Sequence, residues 1–341
     1  MRKSRIAAGL GVVVATTALA ACGGVNTGVS STDTGAGQSA EGSASELTAV
    51  PESCLEDGAL IGVLLPNQTN PYYVAMKTGF EEGATEHGFK AEVAIADDDD
   101  AQQLAQAEAM LQKNLCALAL NPVKSEPAAA IVKAANDKNV PVFTVNVIVD
   151  EAALDAQGAH IVQYLGADNR AGGAQIGEQV LADMGEDADL SIGLITEPDE
   201  RPVVIRDEGF ADAISVNPNA EVVASVNGKV KAEVSLNVGT EMLQGNPTMN
   251  VIFASTGPAT QGGLEAVKAS GRDTKIYGFC APDLPLTDMY PACVAQEPED
   301  YGRRVTEQVR KFVDGETVEA EILRPLKMYV TGETPAPGEV G

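Results

Sequence analysis

Runs of four to seven apolar residues recur along the chain, each followed by a segment whose apolar positions return every three or four residues. In the first half the runs are 59–65, 91–96, 116–120, 140–145 and 161–165; in the second, 190–195, 221–226, 250–254, 275–279 and 292–295. Between them Leu104, Ala107 and Leu111 share one helical face, as do Ile131 with Ala135, and Val305 with Val309 and Phe312. Gly88 and Gly315 stand where helices end. Strands alternating with helices predict an α/β chain with mostly parallel strands, here in two sheets. At 341 residues, two lobes are expected rather than one.

The most informative unit is 61–80, IGVLLPNQTNPYYVAMKTGF. An apolar strand stops at Pro66, a polar elbow runs through Asn67 to Asn70, and a helix begins at Pro71. Ligands of open α/β sheets sit at the carboxyl ends of strands, where Tyr72 and Tyr73 would present their rings. A purely structural account of the same dipeptide also exists, with Asn70 as N-cap and Pro71 in the first helical position.

Charge and cysteines add a compartment. Arg2, Lys3 and Arg5 precede an apolar stretch, 6–20, too short to span a bilayer comfortably. Leu19-Ala20-Ala21-Cys22 then resembles a bacterial lipoprotein box, in which Cys22 becomes the lipidated first residue after a signal peptide at 1–21. A flexible tether follows to about residue 57, its 23–45 part made of Gly, Ser, Thr and Ala with almost no large apolar residue. Removing the signal takes three basic residues and no acid, so the formal charge moves from −26 to −29. That excludes nucleic acid as a partner and leaves the lipid as the only membrane contact. Such a self-repelling body is expected to be a monomer on the outer face of the cell membrane.

Four cysteines remain, Cys54, Cys116, Cys280 and Cys293, which in an exported chain suggests two disulfides with three possible connectivities. In a doubly wound sheet the first and third strands lie side by side in parallel. Cys54 precedes the first and Cys116 opens the third, which favours Cys54–Cys116 and leaves Cys280–Cys293. Metal spacing is absent, and no cofactor motif is present: the glycines of 257–263 lack the Lys-Ser/Thr of a phosphate loop. Asp97 to Asp100 lacks the Gly and distal Glu of a calcium loop and fits a solvated helix start. The sequence sets neither His87 nor His160 at metal-ligand spacing from a carboxylate or cysteine.

In order, the strand ends read Asn-Pro-Tyr-Tyr (70–73), Leu-Asn-Pro (120–122), Thr-Val-Asn (144–146), Gly-Ala-Asp-Asn (166–169), Arg-Asp-Glu-Gly-Phe (206–210), Gly-Phe-Cys (278–280) and Val-Ala-Gln (294–296). This series resembles the ribose and galactose type of periplasmic binding protein, the solute receptors of ABC importers, from about residue 60 to 330. The resemblance implies two Rossmann-like lobes joined by three crossings, near Asp168, Gln296–Pro298 and Arg324–Pro325. The lobes would be 58–167 with 297–324 and 168–296 with 325–332, leaving 333–341 as a tail. It implies a ligand shell of Asn70, Tyr72, Tyr73, Asn121, Arg206 and Gln296, with Asn146, Thr256 and Cys280 at the remaining positions. There this chain departs: Asn146-Val147 replaces the usual Asp-Arg, Thr256-Gly257 an Asn-Asp pair, and Cys280 an Asp. Three charged anchors for hydroxyls are therefore missing. The expected ligand is a less hydroxylated or modified sugar, a polyol or another small metabolite.

The implied function is delivery of that ligand to an ABC permease and its ATPase. A tethered sensor using the same cleft is equally compatible with the residues. An enzyme is not expected: GxSxG and HExxH are absent, and Cys280, the one nucleophile near the implied cleft, would be silenced by a disulfide. For Arg206 the bland alternative is a surface ion pair with its neighbours Asp207 and Glu208. Asn121-Pro122 alone would be an ordinary turn, and Gln296 would serve only the hinge.

Overall fold

The computed structural model describes residues 49–341; the segment expected to be a signal, Cys22 and the Gly- and Ser-rich stretch after it lie outside the described residues. The elements run β1 (Leu60–Leu65), α1 (Pro71–Glu86), β2 (Lys90–Ile95), α2 (Asp100–Met110), β3 (Leu115–Leu120), α3 (Ala128–Asn136), β4 (Val142–Val145), α4 (Glu151–Gln157) and β5 (Gln163–Ala167). They continue with α5 (Asn169–Met184), β6 (Leu190–Thr196), α6 (Arg201–Ile214), β7 (Ala220–Asn227), α7 (Ala232–Gly245), β8 (Val251–Ala254), α8 (Gly257–Ser270) and β9 (Lys275–Phe279). The last are β10 (Ala292–Ala295), α9 (Pro298–Val313), β11 (Glu321–Arg324) and β12 (Lys327–Val330).

Two six-stranded sheets result, ordered β11-β5-β4-β3-β1-β2 and β12-β10-β9-β8-β6-β7. All pairings are parallel except β10 with β12. The two-lobed α/β architecture anticipated from the alternation is the one observed. Continuous apolar runs are explained by helices on both faces. In β1, Ile61, Val63 and Leu65 join the core containing Phe80 and Phe312. Leu64 points the other way, into the core containing Leu118 and Ile131.

The chain passes from one sheet to the other at Asp168, between β10 and α9, and between β11 and β12. The sequence pattern missed β11 and β12. Each is only four residues long; β11 alternates exposed and half-buried positions and β12 buries Tyr329 alone, too little to register as apolar runs. Asp99 caps α2 by accepting from the Gln102 amide, so the acidic run is indeed a helix start. Both bridges form, Cys54–Cys116 and Cys280–Cys293. Among the described residues no helix is long and apolar enough to cross a membrane.

In each lobe a helix that lines the cleft is held to its neighbour at backbone contact. A Cβ on Gly79 of α1 would lie 2.0 Å from the Glu299 carbonyl oxygen of α9, and one on Gly302 2.5 Å from that of Met76. In the other lobe a Cβ on Gly173 would lie 2.0 Å from the Arg206 carbonyl oxygen, and one on Gly209 2.2 Å from that of Arg170. Only glycine permits these approaches, and they fix α1 and α6, the helices that carry Tyr72, Tyr73 and Arg206.

Candidate ligand cleft

The first-lobe wall starts at the elbow after β1. Asn67 Oδ1 accepts from the Thr69 and Asn70 amides at 3.1 and 2.9 Å, turning the chain. Asn70 Oδ1 then accepts from the Tyr72 amide at 3.0 Å and caps α1, with Pro71 in the first turn. The structural account of Asn70-Pro71 therefore holds, while Asn70 also lines the cleft. Tyr72 and Tyr73 are each 4 % exposed and meet edge to face, ring centroids 5.4 Å apart. Burial pushes both phenols well above their ordinary range, so they act as neutral donors and apolar faces.

The Tyr72 hydroxyl lies 3.0 Å from both Asn146 Oδ1 and Gln296 Oε1. One proton cannot serve two acceptors. Turning the Gln296 amide over resolves this: its otherwise unpartnered Nε2 then donates to Tyr72, and Tyr72 donates to Asn146. Asn146 adopts a left-handed backbone, φ 63°, and its carbonyl accepts from Tyr164 at 2.9 Å. Asn121, fully buried, accepts from Asn146 at 3.5 Å and donates to the Met76 sulfur. It thus sits one layer behind the cleft wall.

The second-lobe wall is built on α6. Arg206 is 4 % exposed, with Nε donating to Asn169 Oδ1 and Nη1 to the Ser255 carbonyl, both at 2.8 Å. Its guanidinium stacks 3.8 Å from the centre of the Phe279 ring. The local ion pair that the sequence allowed does not form. Glu208 pairs instead with Arg170 and Arg201, and Asp207 accepts from the Thr196 and Ser255 hydroxyls. Thr256 caps α8 through the Ala259 amide and faces the cleft. Cys280 does not line it, because its sulfur is held in the bridge to Cys293 and the residue is wholly buried.

Glu200, Pro202 and Val230, which the sequence did not single out, also line this wall. Burial drives the Glu200 carboxyl up to about 8, aided by Glu197 and opposed by Arg206. In sequence Glu200 belongs to a charged turn, Glu197-Pro198-Asp199-Glu200-Arg201, that resembles a solvated loop. It is half-buried there, beside Tyr73 and Asp98 of the opposite lobe.

The lobes are closed. The Ser125 amide donates to the Asp199 carbonyl at 3.3 Å, the Arg201 amide to Ser125 Oγ at 2.9 Å, and Lys231 pairs with Asp98 at 2.9 Å. Between Tyr72, Asn146, Arg206, Thr256 and Gln296 only about 20 Å³ remains, room for roughly one water. A cavity of about 270 Å³ adjoins it, sharing Tyr73, Glu200 and Val230 and rimmed by Asp98, Lys124 and Lys229. A ring-sized solute must enter through an open state. Once in, it would meet an aromatic face, amides and a guanidinium, which suit a neutral molecule carrying several hydroxyls.

Comparison with known proteins agrees with this fold. Residues 61–317 match the family model described as a periplasmic binding protein domain. The ribose import binding protein of Haemophilus influenzae is 31% identical over 272 residues, covering 79% of this chain and 90% of that protein. That of Bacillus subtilis is 28% identical over 272 residues, 79% of this chain and 86% of the relative. Among solved structures, an ABC transporter periplasmic solute binding protein from Actinobacillus succinogenes with bound D-allose superposes with a TM-score of 0.72 at 22% identity. It covers 80% of this chain and 97% of that one. A solute binding protein from Mycobacterium smegmatis with bound glycerol gives 0.74 at 20% identity, over 83% and 99%. The named relatives are binding proteins for import, not enzymes.

Proposed function

The chain belongs to the periplasmic binding protein family, and from that premise we propose that it captures a small sugar or sugar-like polyol between its lobes and delivers it to an ABC permease. The observation that carries this reading is the facing of Tyr72 and Tyr73 by Arg206 across a cleft closed by interlobe hydrogen bonds. Ribose and D-allose, named for relatives, are neutral polyols, and the same chemistry fits these walls. Tyr73 offers a ring face to C–H groups, whereas Arg206, Asn146 and Gln296 offer donors and acceptors to adjacent hydroxyls. Asn121 supports Asn146 from behind.

The carboxylate content of the inner cleft is low, Glu200 being the acid that lines it, which favours a ligand with fewer hydroxyls than ribose. Loading closes the lobes, and the closed surface is what the permease recognises. Cys22 carries a lipid that holds the receptor on the outer face of the membrane. In support, the residues before it have the charge and apolar pattern of a lipoprotein signal.

The test uses the Cys22→Ser chain, which cannot be lipidated, against a panel of pentoses, hexoses, polyols and nucleosides. One member is expected to raise the unfolding temperature, since ligand at a hundred times its Kd stabilises by about 2.7 kcal/mol. No shift with any member refutes the carbohydrate reading. The wild-type chain should fractionate with membranes and the Cys22→Ser chain should not; equal partitioning refutes the anchor.

A further inference from the structure

The segment after β12 does not leave the body. Ala336-Pro337-Gly338-Glu339 forms a tight turn: Pro occupies the second position, Gly338 takes φ +85°, and the Glu339 amide donates to the Ala336 carbonyl at 2.9 Å. The Glu339 carboxylate locks it, accepting from the Ala336 amide at 3.0 Å and pairing with Lys327 at 3.2 Å. The turn sends Val340 and Gly341 back between the lobes.

There the two residues are held on both sides. Val340 and Gln296 exchange both main-chain hydrogen bonds, at 2.8 and 3.1 Å, beside the crossing from β10 to α9. The Val340 side chain is buried in the first-lobe core that contains Tyr72, Tyr73 and Tyr301. Gly341 reaches the other lobe, its amide donating to the Cys280 carbonyl and its carbonyl accepting from the Gly257 amide, each at 2.8 Å. The fit is close. A Cβ on Gly341 would lie 2.5 Å from Phe279 Cβ, and one on Gly257 2.5 Å from the Gly341 oxygen. Gly341 also lines the inner cleft together with Tyr72, Arg206 and Thr256.

We propose that Val340 and Gly341 form a wall of the ligand site and set which solute it accepts. The proposal rests on the solute-binding reading above and deepens it. Thr256, Gly257 and Cys280 bring no charged group to this end of the cleft. Main chain of Val340 and Gly341 covers Gly257 and Cys280 instead, and occupies the space next to Arg206 and Phe279. A ligand here is limited in size on that side and meets main chain rather than side chains. Because the segment touches both lobes, it also ties solute choice to closure.

The experiment compares three chains, each with Cys22→Ser: the full chain, one ending at Gly338, and full-length Gly257→Ala. The last dislodges Gly341 by crowding without shortening the chain. Titration calorimetry with the panel above reads affinity, and hydrogen exchange reads the amides of Gly257 and Gln296. For both altered chains the expected result is at least tenfold weaker binding of the full chain's preferred solute. Bulkier members of the panel should gain relative to it, and Gly257 and Gln296 should exchange faster. Affinities within threefold in an unchanged rank order overturn the proposal. If no chain binds any member, the carbohydrate reading falls by itself. Exchange then decides: unchanged protection of Gly257 and Gln296 on shortening overturns the wall, and its loss upholds it. Binding gained only by the shortened chain also upholds it.

Discussion

Replacing Arg206 with methionine separates what this side chain does for the fold from what it does for a ligand. The thioether stem can still cover Phe279, 3.8 Å below the present guanidinium, while every donor is lost. Asn169 Oδ1 and the Ser255 carbonyl each lose a donor at 2.8 Å. A buried acceptor left unpaired costs about 1–3 kcal/mol. Releasing a buried guanidinium from desolvation offsets part of this, for a net loss of about 1–3 kcal/mol. For a protein of this size that corresponds to a drop of roughly 1.5–5 °C in Tm. The effect on binding is separate. A hydrogen bond from a charged donor contributes about 1.5–3 kcal/mol, so the Kd should rise roughly 10- to 150-fold. Calorimetric titration of Arg206→Met with the panel's best ligand reads one quantity and thermal unfolding the other. Arg201→Met serves as control, because Arg201 is exposed and pairs with Glu208 at the surface, and should change stability by under about 1 kcal/mol. If Arg206→Met binds within threefold of the parent, the guanidinium is not part of the ligand site.

Two further outcomes follow from burial and from chain connectivity. The closed protein keeps a proton on Glu200 up to about pH 8, whereas the unfolded chain releases it near 4.5. This contribution to stability is therefore complete below about pH 4.5 and is lost as pH rises through about 8. Urea unfolding between pH 5 and 9 should show that decline, and Glu200→Gln should flatten it; equal slopes in the two proteins would dismiss the assignment. Cys54–Cys116 spans 62 residues and Cys280–Cys293 spans 13. Chain entropy gives about 4 and 3 kcal/mol for their removal as paired alanines, so the first pair should cost more in denaturant unfolding; the reverse order would contradict it.

Much of this was legible in the sequence, and the rest was hidden for identifiable reasons. The elbow at Asn67–Tyr73 announces itself because a local cap and a Pro in the first turn write helix geometry into adjacent residues. Arg206 was visible as a candidate, though its burial was not, since the partners that hold it, Asn169 and Ser255, lie 37 and 49 residues away. Glu200 sits in a charged turn, and the first-lobe residues beside it, Tyr73 and Asp98, are more than a hundred residues away in sequence. Asn121 was placed in the ligand shell but lies behind Asn146, one layer too deep for a strand-end motif to reveal. Residues 333–341 read as a tail, since neither Val340 nor Gly341 has a periodic neighbour; the Pro337-Gly338 turn was the available signal. Cys280 could not be both bridge and ligand, and the bridge holds its sulfur.

The glycine contacts that lock α1 to α9 and α5 to α6 bear on how quickly such a receptor can respond. With both walls seated by backbone on backbone, few side-chain rotamers remain to be ordered when a solute arrives. The conformational entropy of assembling the site is lost during folding, before any encounter. What remains is a nearly rigid rotation about the crossings. Capture should therefore be governed by how often the empty protein opens, and retention by the bonds that Ser125, Asp98 and Lys231 re-form on closing.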